Sequence, residues 1–257
     1  ESVNLQLSNV TGTQAVLGAQ ATHEATITDD DTATIAFQSV SSATADEIAG
    51  NHAVTVELTV ATGTTPSAIT VDVTDVGGGT ATADADYTAV GTVTLTFPAG
   101  SASGATQTFN LAVLGDTDVE VNETVNLQLN NVIGTQAVLG AQATHEATIT
   151  DDDTATIAFQ SVSSATADEI AGNHAVTVEL TVATGTTPSA ITVDVTDVGG
   201  GTATADADYI AVGTVTLTFP AGSASGATQT FNLAVLGDTD VEVNETVNLQ
   251  LNNITGT

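Results

Sequence analysis

The chemistry-bearing residues of this chain are acids, gathered in separated segments with nothing basic beside them. Asp46 and Glu47 come first. Asp84 and Asp86 follow within the stretch Gly79–Tyr87, and Asp116, Asp118, Glu120 and Glu123 make a third group, with Asp151, Asp152 and Asp153 further downstream. The chain carries 31 Asp plus Glu, no Lys and no Arg, a formal charge of −31. No salt bridge to a basic side chain can form, and two carboxylates about 4 Å apart repel by roughly 4 kcal/mol at an effective dielectric of about 20. Each cluster must be spread in water, protonated, or neutralised by a cation from solution. If the third segment is extended, Asp116, Asp118 and Glu120 point to one side, because side chains alternate along a strand. Hard cations such as Ca²⁺ take six to eight oxygen ligands of this kind.

Other chemistries fit poorly. No G-x-S-x-G elbow or H-E-x-x-H pair is present, and nothing builds a substrate cleft around the Asp84–Asp86 pair, so the chain does not read as an enzyme. EF-hand spacing fails after Asp116: the sixth position is Val121 rather than Gly, and the twelfth is Leu127 rather than Glu. Gly77–Gly79 has no following lysine and no helix start, so it reads as a flexible inter-strand turn instead of a phosphate cradle. His23, His145, His52 and His174 form two pairs of copies without any cysteine; they read as partly exposed strand residues, not a zinc set. Without basic residues there is nothing to displace counterions from phosphate or to attract an anionic bilayer, which excludes nucleic acid and membrane-surface partners. No apolar run approaches the length of a membrane span and no signal peptide is visible, so direct membrane insertion is not expected.

These acids need a scaffold, and it repeats. Glu1, Glu123 and Glu245 open the phrases ESVNLQL, ETVNLQL and ETVNLQL, a period of 122 residues, and residues 14–122 recur as 136–244 with one change, Thr88 to Ile210. A unit of that length can bury its own core, unlike short solenoid repeats. With 41% hydrophobic residues the chain should fold despite its charge. Within a unit, Val, Ile, Leu and Phe alternate with Thr, Ser, Asn and Gln, which predicts strands at 32–38, 52–60, 69–75, 80–87, 91–97, 106–114, 123–131 and 145–150. Gly and Pro fall between them. Short strands separated by turn signals predict an all-β chain of tandem antiparallel, immunoglobulin-like β-sandwiches. The joint lies at Asp29–Asp31 and its copy Asp151–Asp153. On that phasing residues 1–28 are the C-terminal strands of a truncated unit, 29–150 are a complete unit, and 151–257 lack a last strand. Donor-strand exchange between copies would also explain the offset, but residues 1–13 and 245–257 copy one strand and compete for one slot. A piece of a longer array is the simpler expectation.

The segments GTATADADYTAVGTVTLTFPAG, DTDVEVNETVNLQL and ATITDDD together resemble the Calx-β domain, a family of calcium-binding β-sandwiches. The resemblance implies calcium ligands at Glu47, Asp86, Asp116, Glu120, Glu123, Asp151, Asp152 and Asp153 of the complete unit. In the next unit it implies Glu169, Asp208, Asp238, Glu242 and Glu245, while Asp29, Asp30 and Asp31 close the site of the truncated one. Gly115 and Asn122 stand where the family often has Asp; Asp118, with its copy Asp240, is an extra acid that could compensate.

The expected function is structural: an extracellular or cell-surface array, such as a stalk, adhesin shaft or filament. Its partners are neighbouring copies of itself, and Ca²⁺ rigidifies it at acidic loops and junctions. Head-to-tail contacts between identical units propagate instead of closing, and the absence of Lys and Arg leaves no site for trypsin-like proteases. The alternative is a regulatory Ca²⁺-sensing module of a larger protein. A carbohydrate-binding module would need aromatic platforms, and the chain has no Trp. Sequons occur at Asn9, Asn122, Asn244 and Asn253.

Overall fold

A computed structural model describes residues 1–43, 47–164 and 169–256. Asp46 and its copy Asp168 lie outside them. The chain begins with a two-stranded antiparallel hairpin, β1 (Ser2–Gln6) and β2 (Thr22–Thr26), pairing Ser2 with Thr26 and Gln6 with Thr22. The first sandwich follows, built from β3 (Ala33–Phe37), β4 (Ser41–Ala43), β5 (Gly50–Thr59), β6 (Ile69–Asp75), β7 (Val93–Phe97), β8 (Ala105–Val113), β9 (Glu123–Ile133), β10 (Ala137–Leu139) and β11 (Thr144–Ile149). One sheet has the order β10-β3-β5-β8 and the other β4-β11-β9-β6-β7. The second unit contains β12 (Thr156–Phe159), β13 (Gly172–Thr181), β14 (Ile191–Asp197), β15 (Val215–Phe219), β16 (Thr228–Val235) and β17 (Leu249–Thr255), in sheets β12-β13-β16 and β15-β14-β17. Among the described residues there is no helix.

Alternation drives the layering. In β3 the pattern Ala-Thr-Ile-Ala-Phe turns Ala33, Ile35 and Phe37 inward, and β6 does the same with Ile69, Val71 and Val73. These meet Leu58, Phe97, Leu111, Leu127 and Leu129 in one core between the sheets. Full burial of each such side chain is worth about 1.5–3 kcal/mol. Two short strands were not expected: β4 pairs parallel with β11, and β10 pairs parallel with β3. Each is three residues long, too short for a periodic signal, and each lets the chain cross from one sheet to the other.

The expected strand over residues 80–87 is instead a turn. Residues 80–86 offer only Thr, Ala and Asp, with no large apolar side chain at alternate positions; of the stretch, Tyr87 at its end is buried in the core and Ala81 packs against it. Backbone bonds fold it locally: Ala85 N–H donates to Thr82 O at 3.1 Å and Asp84 N–H to Tyr87 O at 2.7 Å. Asp84 adopts φ 64°, the left-handed region that Asp tolerates better than most residues.

His52 and His145 are also not partly exposed; they are 8% and 2% accessible. Ser42 Oγ lies 2.8 Å from His52 Nε2 and 2.7 Å from His145 Nε2, and His145 Nδ1 lies 2.8 Å from Ser39 O. In the neutral tautomers that fit, His145 Nδ1–H donates to the carbonyl, Ser42 Oγ–H donates to His145 Nε2, and His52 Nε2–H donates to Ser42 Oγ. This chain ties the edge strand β4 to its neighbour β11 and to β5 of the other sheet. Burial, then the neighbouring His145, holds His52 below its ordinary value of 6.5. Its contribution to stability is therefore present above pH 6.5 and lost as pH falls through its lowered value. We expect the stability difference between wild type and His52→Gln, measured by urea unfolding, to shrink between pH 7.5 and pH 5.

Candidate metal centre

Strand register brings the acidic segments to one end of the first sandwich. The start of β5 pairs with the end of β8, Gly50 opposite Val113, and the start of β9 pairs with the end of β11, Glu123 opposite Ile149. Glu47 enters β5, the Asp116–Glu120 loop leaves β8, Glu123 opens β9 and Asp151 follows β11, so all of them share that end. The Asp86 turn is fastened there by Leu114 N–H, which donates to Asp86 O at 2.9 Å. Tyr87, beside it, donates its hydroxyl to Asp75 Oδ2 at 2.5 Å. Burial, the bond to Asp75 and that residue's charge push the phenol up to about 12.

Oxygens of Glu47, Asp86 and Glu120 lie within 4.8 Å of one another. Glu47 is 4% and Asp86 6% accessible. Asp86 Oδ2 accepts the Thr82 N–H at 2.5 Å, whereas Glu47 Oε1 is buried with no partner among the described residues. Burial, followed by the charges of Asp116, Glu120, Asp151 and Asp86, pushes Glu47 up to about 7. Glu123 is raised to about 8 by burial, by its hydrogen bond with Asp86 and by the surrounding carboxylates. Glu120 is raised by burial, then by Asp86 and Asp116. A buried oxygen without a partner among the described residues, within an all-carboxylate donor set in a chain without Lys or Arg, fits a hard divalent ion.

The remaining acids distribute unevenly. Asp116 and Asp151 act on Glu47 through their charge. Asp151 N–H donates to Asn122 Oδ1 at 3.2 Å, and Asp153 N–H donates to Asp151 Oδ1 at 3.3 Å. Asp152 is exposed. Asp118 does not join Asp116 and Glu120 on one side: the loop is not an extended strand, and the Asp118 carboxylate accepts the Thr184 hydroxyl of the next unit. In the second unit two alternative triads share Glu242, one with Glu169 and Asp238, the other with Asp208 and Glu245. Glu242 and Glu245 are raised, the first chiefly by burial and the second chiefly by its bond with Asp208. Asp240 is exposed, as are Asp29, Asp30 and Asp31.

Two glycines that shape the site carry no acid signal. A Cβ on Gly115 would lie 2.2 Å from Glu47 O and 2.9 Å from Ala49 N, so an aspartate cannot stand there without moving the Glu47 backbone. A Cβ on Gly79 would lie 2.1 Å from Thr124 O, so the turn approaches β9 closely at a place that reads as simple flexibility; only Gly77 and Gly78, at φ 71° and 78°, fit that description. We expect Gly115→Ala to destabilise the first unit by about 1–3 kcal/mol in urea unfolding, through overpacking against backbone. Gly91→Ala, with open space around it, should stay within about 0.5 kcal/mol.

The sequence model of the Calx-beta domain matches residues 28–153 and again 151–257. The chain belongs to the Calx-beta family. The two matches overlap at Asp151–Asp153, which close one domain and open the next. Among solved structures, the chain is similar to CBD12 from CALX1.2, at 20% identity, covering 87% of this chain and 82% of that one, with a TM-score of 0.41. It is similar also to the apo form of the Calx CBD1 domain, at 23% identity, covering 48% of this chain and 99% of that one, with a TM-score of 0.38. No curated protein shows a significant sequence match. Domains of the Calx-beta family bind calcium, and the end of the sandwich that holds Glu47, Asp86, Glu120 and Glu123 is where this tandem concentrates acidic oxygen.

Proposed function

We propose that this chain is a tandem calcium-binding module, with Ca²⁺ held in the first domain by Glu47, Asp86, Glu120 and Glu123 and assisted by Asp116 and Asp151. The carrying observation is the buried Glu47 Oε1, without a partner among the described residues, set among carboxylates in a chain that has no Lys or Arg. Because Glu47 sits at about 7 and Glu123 at about 8, the first is about half protonated and the second mostly protonated at neutral pH before the ion arrives. Binding must then expel protons. Titration calorimetry in buffers of different ionisation enthalpy should read roughly one proton released per ion at pH 7, with affinity rising from pH 6 to pH 9. Calcium binding with no buffer dependence, or none at all, removes the assignment.

Two finer readings remain, and both use this site. Membership of a calcium-binding family supports a regulatory module, in which occupancy alters the angle between domains. The near-identity of residues 14–122 and 136–244 supports a structural array, extracellular or on a cell surface, in which the same joint is reused and the ion stiffens it. Small-angle scattering across a calcium titration separates them. A regulatory pair changes shape in steps within the micromolar range. An array element keeps its loaded shape over that range and loosens only on chelation.

A further inference from the structure

Glu47 is the most buried acid of the candidate site, at 4% accessible, and its Oε1 has no partner among the described residues. Hydrogen bonds from those residues do not fix that oxygen, so its position depends on how the backbone to either side is held. On the C-terminal side the anchor is Gly115, which leaves room for the Glu47 carbonyl and Ala49 N; an added Cβ would lie 2.2 and 2.9 Å from them. On the N-terminal side the sequence runs back to β4, and the anchor there is Ser42.

By itself β4 is a weak edge. Its three residues pair with β11, Ser41 opposite Glu146 and Ala43 opposite Thr148, and it ends its sheet. The Ser42 hydroxyl adds what so short a ladder lacks. Its Oγ lies 2.8 Å from His52 Nε2 and 2.7 Å from His145 Nε2. Glu47 stands midway in sequence between Ser42 and His52, so their bond ties together the two ends of the stretch that carries it. His145 is itself fixed, by Ser39 O at 2.8 Å from its Nδ1 and by the Phe37 ring at 5.3 Å between centroids. His52 lies opposite Leu111 on β8, the strand that leads into the Asp116–Glu120 loop. The same pair recurs in the second domain, where Ser164 Oγ lies 2.8 Å from His174 Nε2, on either side of Glu169 in sequence.

We propose, on the calcium reading of this site, that Ser42, His52 and His145 are positioning residues that hold Glu47 toward Asp86 and Glu120 before the ion arrives. None of the three belongs to the carboxylate set; they act through the backbone of Glu47. A stretch whose ends are already joined loses less conformational entropy when a ligand fixes it. Affinity then rises through pre-organisation, with no added contact to the ion.

The test separates position from stability. His52→Leu keeps an apolar side chain of similar size opposite Leu111 but removes the bond to Ser42, and His52→Gln restores an N–H donor of similar reach. Calcium titration at pH 7.5, on protein shown to be folded by circular dichroism, should read about tenfold weaker binding in His52→Leu, the lower end of what losing an outer partner costs a metal site. Ser42→Ala should weaken binding by about as much, and His52→Gln should recover to within about threefold of wild type. In EGTA, a Glu-specific protease should cut His52→Leu after Glu47 well before Glu57 in the middle of β5, while wild type and His52→Gln resist at both. A purely structural role would expose Glu47 and Glu57 together and leave the affinity of folded protein unchanged. Either of those results, or no recovery in His52→Gln, overturns the proposal alone. A wild type that binds no calcium overturns the calcium reading and the proposal together.

Discussion

Removing calcium should lower the melting temperature of the chain by roughly 10 °C. An ion present at about 100 times its dissociation constant stabilises a domain by roughly 2.7 kcal/mol, and each kilocalorie shifts the midpoint of a domain of this size by about 4 °C. The effect should exceed that expected for most single substitutions, because the ion relieves repulsion that no side chain of this protein can relieve. Differential scanning calorimetry with 1 mM calcium and with excess EGTA measures it. Magnesium should substitute poorly, since it demands near-ideal octahedral geometry and gives up its water reluctantly. Equal midpoints in calcium and EGTA would remove the metal from the account of stability.

Glu47→Gln should have opposite effects with and without the ion. In saturating calcium the variant loses a buried anionic ligand, and with it most of that roughly 2.7 kcal/mol increment. In EGTA the sign reverses. The folded-state value of Glu47, about 7, is raised above its ordinary 4.5, so the stability its proton provides is full below pH 4.5 and lost as pH rises through 7. At pH 8 the wild type has lost it, while an amide carries no charge and can donate to Asp86 or Glu120. The variant should therefore be the more stable protein at pH 8 in EGTA, nearly equal to wild type at pH 5, and the less stable in calcium. Urea unfolding at the two pH values, each with and without the ion, gives four numbers. A variant that is weaker in all four conditions would show Glu47 to be an ordinary packing residue.

The strand framework could be read from alternation because large apolar residues mark it. Thr32–Gln38, Ile69–Asp75 and Glu123–Asn131 were expected as strands and lie on β3, β6 and β9. The Asp86 turn could not, since residues 80–86 offer no large apolar side chain at alternate positions. The histidines misled in the same way. A lone His in a strand carries no mark of what faces it, and His145 finds its Ser42 partner 103 positions earlier in the chain. For the site, residue types and order indicated which acids to consider. Only the packed loops showed that Glu47 and Asp86 are buried, that Asp118 turns to the following domain, and that Gly115 leaves no room for a side chain.

By itself the sequence determined the repeat, the acid inventory and the pairing of the closing hairpin. β1 and β2 keep the register of β9 and β11 although no sandwich encloses them. Hydrogen-bond register is a local property, set by neighbouring strands and the turn that joins them. Tertiary structure decided what those same residues experience. Leu5 is 55% accessible and its copy Leu127 is 1%; Val241 is fully exposed and its copy Val119 is 2%. Desolvation depends on atoms contributed by distant segments, so identical side chains acquire different burial, and identical carboxylates different affinity for protons, once their surroundings differ.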